Sequence, residues 1–65
     1  MDDRREELMH RIEELRARFM QCHVTGMDAL KRGDLDALDA AIKAEAKLID
    51  EQEQISVELR ALADA

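Results

Sequence analysis

The chain has 65 residues, of which 46% are hydrophobic and 40% charged, with a formal net charge of −6 at pH 7. A single cysteine, Cys22, excludes an intrachain disulfide and the paired-cysteine spacings of structural zinc sites, and Phe19 is the only aromatic residue, so any core is aliphatic. One domain is the most this length supports, and so short a chain buries too little apolar surface to complete a core without a staple or a partner.

Met1 is followed directly by Asp2-Asp3-Arg4-Arg5-Glu6-Glu7, the reverse of the apolar start that a signal peptide requires. No run approaches the length that crosses a bilayer, so no membrane association is expected. A cytoplasmic location is the expectation, and the lone thiol agrees with a reducing compartment.

From there the chain divides into two amphipathic runs. In the first, Leu8, Ile12, Leu15, Phe19, Cys22, Gly26 and Ala29 recur at alternating spacings of four and three residues. That is the apolar seam of a coiled-coil-like helix, with charged residues on the opposite side. Asp3 and Glu6 form a candidate capping pair at its start. Glu7–Arg11, Glu14–Arg18 and Asp28–Arg32 are i,i+4 pairs in the favourable orientation, each worth a few tenths of a kcal/mol. Val24-Thr25-Gly26 is the weak stretch, since all three are poor helix formers, but the seam keeps its phase across it. The spacing predicts one continuous helix over residues 3–32.

Lys31-Arg32-Gly33-Asp34 reads as a stop followed by a start. Cations suit a helix C-terminus, Gly33 supplies a left-handed residue just past it, and Asp34 can cap the next helix. So short a connection makes the two helices antiparallel neighbours. The second helix is expected over residues 34–63, with Leu38, Ala41/Ile42, Glu45, Leu48/Ile49, Gln52, Ile55, Leu59 and Leu62 inward. The chain from 1 to 65 is thus an all-α, antiparallel two-helix hairpin. In this register Gly26 lies against Ala41, Cys22 against Glu45, and Leu15 against Gln52. The apolar stripe of the second helix is wider than a two-helix seam requires. Two hairpins dimerising into a four-helix bundle would cover it.

Glu45 and Gln52 interrupt that stripe. A buried, unpaired carboxylate is costly, so Glu45 must be paired, protonated or close to solvent. The two polar residues either sit on the margin, or set register and partner choice, or contribute a metal ligand. Glu7 and His10 have the Glu-x-x-His spacing that carboxylate-bridged bundles use twice. Met20, His23 and Met27 share a face, and thioether with imidazole suits a soft ion. Glu7, His10, His23 and Glu45 are therefore the candidate ligands of a metal-binding bundle, against a bland reading in which methionine fills gaps and Cys22 is a small buried hydrophobe. The bland reading is preferred, and no resident metal or cofactor is expected.

Catalytic constellations are missing from the pattern. Ser56 is the only serine and has no histidine beside it, and there is no glycine-rich phosphate loop. The chain is not expected to be an enzyme. Residues 1–32 hold seven Lys/Arg against seven Asp/Glu, whereas residues 33–65 hold three against nine. Nucleic-acid binding needs a basic face, and only Arg4, Arg5, Arg11, Arg16 and Arg18 could offer one. What the pattern offers instead is apolar surface beyond the seam. Phe19, Met20, Cys22, Met27 and Leu30 on the first helix, with Leu35, Ile42, Glu45, Ile49 and Gln52 on the second, are the candidate interface for a second copy or for a partner's amphipathic helix.

The segment Asp28-Ala29-Leu30-Lys31-Arg32-Gly33-Asp34-Leu35-Asp36-Ala37-Leu38, continued by Ala44-Glu45-Ala46-Lys47-Leu48-Ile49-Asp50, resembles the helical-hairpin segment of FlgN/FliT-type flagellar export chaperones. The resemblance covers about a third of the chain. It implies a cytoplasmic holder of a partner's amphipathic helix. The dimeric-hairpin layout is also similar, in architecture alone, to Rop-like copy-control proteins, which implies the less favoured alternative of an RNA-binding regulator. The leading expectation is a small non-enzymatic adaptor, chaperone or regulator that acts as a homodimeric hairpin on another protein.

Overall fold

The computed structural model of the chain describes residues 3–64. Two α-helices, α1 (Asp3–Arg32) and α2 (Leu35–Asp64), pack antiparallel as a hairpin. Each is 30 residues long, about 45 Å at 1.5 Å per residue, and this accounts for most of the 49 Å length of the molecule.

The turn is built from local chemistry. Gly33 adopts φ +71°, the left-handed conformation that only glycine takes without strain. Its N–H donates to the Leu30 carbonyl at 3.1 Å, and the Asp34 N–H donates to the Ala29 carbonyl at 2.9 Å. This pair of bonds is a Schellman motif, which satisfies two carbonyls at the end of α1. Asp34 then turns its Oδ1 back to accept from the Ala37 N–H at 3.1 Å, the bond of an N-cap residue, so α2 begins at Leu35, one residue after the expected 34. Replacing Gly33 by alanine is expected to cost about 1–2 kcal/mol, the strain of a Cβ in the left-handed region. Thermal unfolding would show it as a drop of several degrees, with helix content unchanged at low temperature.

At the other end of α1, Asp3 is already helical. Its carboxylate joins Glu6 as negative charge in the first turn, which favours the helix N-terminus but is not a cap. The residue before it lies outside the described residues.

The core is a narrow line along the seam. Leu8, Leu15, Ala29, Ala41 and Leu48 are buried, with Leu15 the one large side chain wholly enclosed among the described residues. Gly26 is buried against Ala41, where an added Cβ would meet the Ala41 Cβ at 3.2 Å. That layer lets the backbones approach closely just before the turn. Ile12, Phe19, Cys22, Leu38, Gln52, Ile55 and Leu59 are only half covered, and Leu62, expected to face inward, is exposed near the end of α2.

Ion pairs select one edge of the hairpin. Arg4 donates to Glu58 at 2.6 Å and Glu7 at 3.2 Å, while Arg11 reaches Glu51 at 3.0 Å and Glu14 at 3.2 Å. Glu7 and Glu14 are thus held by the arginine three residues before them, in place of the expected Glu7–Arg11 and Glu14–Arg18 pairs. Arg4 and Arg11 border α2, so one guanidinium serves a neighbour on its own helix and a carboxylate across the seam. The hydrogen bond to Glu58, and then that to Glu7, raise the Arg4 pKa above its ordinary value. Asp28–Arg32 forms as expected at 3.3 Å. All these pairs are exposed and contribute little individually.

Candidate interaction surface

Because the seam uses only one strip of each helix, the hairpin has two flanks, and the candidate residues divide between them. On one flank α1 presents Met20, His23, Met27 and Leu30, and α2 presents Leu35, Ile42, Glu45 and Ile49. Six of these are large apolar side chains with exposures between 45% and 68%. They cluster in the half of the hairpin nearest the turn. The spacing explains the cluster: residues three, four and seven apart share a helix face, and both sets lie next to the seam on the same side.

His23 and Glu45 stand in the middle of this apolar flank, one on each helix. His23 Nδ1 lies 3.6 Å from Glu45 Oε1, too long for a hydrogen bond and close enough for an ion pair when the imidazole is protonated. The two side chains differ in cover, His23 being 55% exposed and Glu45 21%. The Phe19 ring stacks on the imidazole, with centroids 6.4 Å apart and planes 7° from parallel. Phe19 therefore orients His23, and His23 gives Glu45 a counter-group. Glu45 is marginal to the seam and mostly covered, and His23 beside it offsets part of the cost of covering a carboxylate.

Cys22 takes a different place from the expected one. It was to share a layer with Glu45, but it lies on the opposite flank, lining a groove of about 690 Å³ with Thr25, Ala37, Ala40, Ala44 and Leu48. Successive residues lie about 100° apart round a helix, so with His23 beside Glu45 its neighbour Cys22 falls on the other side of the seam. The interface set read from the sequence thus splits. Cys22 belongs to the small-residue groove and the other α1 members, with Leu35, Ile42, Glu45 and Ile49, to the apolar flank. Gln52 is half-buried at the far end of that flank, in a hollow with Ile49, Glu53, Ser56, Val57 and Arg60.

Of the four candidate metal ligands, the fold brings together His23 and Glu45 only. Glu7 is engaged by Arg4 and borders Glu58, whereas His10 lies in a separate hollow with Arg5, Glu6, Met9 and Glu13. Although their i,i+3 spacing puts them on neighbouring parts of the helix surface, the two side chains line different hollows. Among the described residues, no group of three or more His, Cys, Asp or Glu side chains is placed to hold a metal ion.

The His23–Glu45 pair was not singled out by motif, although a signal for it existed. Glu45 interrupts an apolar stripe and needs a counter-group, and His23 is the titratable residue next to the α1 position expected to face it.

Comparison with known proteins gives no significant match to a family model, a curated protein or a solved structure. Among the described residues, no helix is long and apolar enough to cross a membrane.

Proposed function

We propose that the chain is a small non-enzymatic protein–protein interaction module, which acts as a homodimeric helical hairpin and packs on an amphipathic helix of another protein. The apolar flank carries this reading. Folded monomers seldom leave a contiguous apolar patch beyond a few hundred Å² uncovered unless something binds there. Here six large apolar side chains on one flank are 45–68% exposed, while few residues are buried within the hairpin.

The shape supports the same reading. The radius of gyration is 15.0 Å, against about 11 Å for a compact domain of this length. Methionine at three of the exposed apolar positions, Met9, Met20 and Met27, gives a surface that can adapt to more than one packing geometry. A role as adaptor, chaperone or regulator in the cytoplasm fits the lone thiol and the resemblance of the 28–50 segment to flagellar export chaperone hairpins.

Thermal unfolding at several protein concentrations tests the proposal. If folding is coupled to association, Tm should rise with concentration by about 5 °C for each tenfold increase. The Met27→Lys and Leu30→Lys variants should lose that dependence while keeping their helical signal at low temperature. A Tm independent of concentration, together with a monomer mass in sedimentation, would refute the homodimer.

A further inference from the structure

The hairpin has more surface than a finished molecule of its size. Surface–mass scaling gives about 4,200 Å² for a compact monomer of 7.5 kDa, whereas this chain exposes 5247 Å². The surplus, roughly 1,000 Å², is comparable to one side of a standard protein interface, about 800 Å² per partner. It is not spread evenly, because six exposed large apolar groups near the turn, Met20, Met27, Leu30, Leu35, Ile42 and Ile49, lie on the flank around His23 and Glu45.

We infer that a second copy of this chain covers that flank. The two copies meet around a two-fold axis with the His23–Glu45 pairs near the centre, and the Ala-lined groove on the opposite flank stays open. The inference rests on the self-association proposed above and adds the surface through which it occurs.

Charge favours a second copy as the occupant. The chain carries a net −6, so two copies repel in general. On this flank, however, residues 20, 23, 27 and 30 of α1 and 35, 38, 42, 45 and 49 of α2 include only one imidazole and one carboxylate. Two such surfaces brought face to face add no net like charge. A two-fold axis sets each His23 toward the other copy's Glu45, which is the self-complementarity that an isologous interface requires. The breadth of the flank points the same way. Met20 and Leu35 lie at its outer margins, so a single helix seated over the seam would leave both wet, whereas a second two-helix layer reaches them.

Sedimentation equilibrium of the full chain and of two lysine variants, at micromolar concentration, tests the assignment. The wild type should show the mass of two chains. Ile42→Lys should raise the dissociation constant by about 30-fold or more, the effect of disrupting a central interface residue. Ala40→Lys, in the groove on the other flank, should leave it unchanged. Because Ile42→Lys could also disturb folding, a second measurement uses Cys22→Ala chains carrying either Met27→Cys or Ala40→Cys. Thiol modification at residue 27 should slow as concentration rises, and modification at residue 40 should not. A wild-type monomer would overturn both this inference and the self-association it rests on. A dimer that Ala40→Lys breaks, or that protects residue 40 in place of residue 27, would overturn the surface and leave self-association standing. A mass above two chains would overturn the closed two-fold arrangement.

Discussion

Replacing Leu15 by alanine is expected to unfold much of the population at ambient temperature. Leu15 is the one large side chain wholly enclosed among the described residues, at 0% exposure, and it sits in the middle of the seam. Truncating a buried leucine costs about 2–5 kcal/mol, part of it lost transfer energy and part the cavity left behind. A chain of 65 residues has a total stability of only about 3–10 kcal/mol. The loss is therefore a large share of the whole, and Tm should fall by on the order of 15 °C or more. Val24→Ala is the control, because Val24 is 63% exposed and changes at such positions stay within about 0.5 kcal/mol. Circular dichroism melts of the two variants check the contrast. Equal melts would mean that the seam is not where the stability resides.

The difference between these positions follows from how the chain encodes its fold. The two helices and the turn, governed by rules acting over a few residues, were legible in the sequence. The seam spacing set the two helices, Gly33 and Asp34 set the turn, and the small Gly26/Ala41 layer followed from counting back from that turn. The division of the surface into two flanks was not legible. It depends on the rotation of each helix about its own axis, which the sum of packing contacts fixes and no local motif reports. His23, not Cys22, is the α1 residue beside Glu45, while Cys22 lines the groove on the other flank.

The partners of Arg4 and Arg11 were illegible for a different reason. An i,i+3, an i,i+4 and a cross-helix partner differ by only tenths of a kcal/mol. Arg11 reaches Glu51 because the fold places α2 beside it, and spacing along α1 alone does not contain that choice. The candidate metal residues show the same division. Glu7 and His10 were matched by spacing on one helix and line separate hollows, while His23 and Glu45, grouped only as members of a candidate ligand set, meet across the seam.

The Glu45→Leu variant is expected to be more stable than the wild type and less well defined in its assembly. Glu45 is already mostly covered, with a side chain only 21% exposed, and its partner His23 stands 3.6 Å away in a pair too long to be a hydrogen bond. Losing a partly solvated pair of this kind costs about 1 kcal/mol at most. Burying a leucine in its place contributes about 1.5–3 kcal/mol. The apolar term wins, and it wins by more when a second copy covers the flank, because the carboxylate then no longer has to be desolvated. Tm should rise by several degrees. The same change removes the one carboxylate among Met20, Met27, Leu30, Ile42 and Ile49 and leaves His23 without its counter-group, and interfaces that lose a polar pair of this kind tolerate alternative registers and stoichiometries. Sedimentation should accordingly turn a single mass into a mixture. Glu45→Gln separates the two effects, since it keeps a polar group at the position without the charge. It should retain one stoichiometry with little gain in Tm. A Glu45→Leu chain that melts below the wild type would show that the His23–Glu45 pair stabilises the hairpin more than apolar contact at that position can.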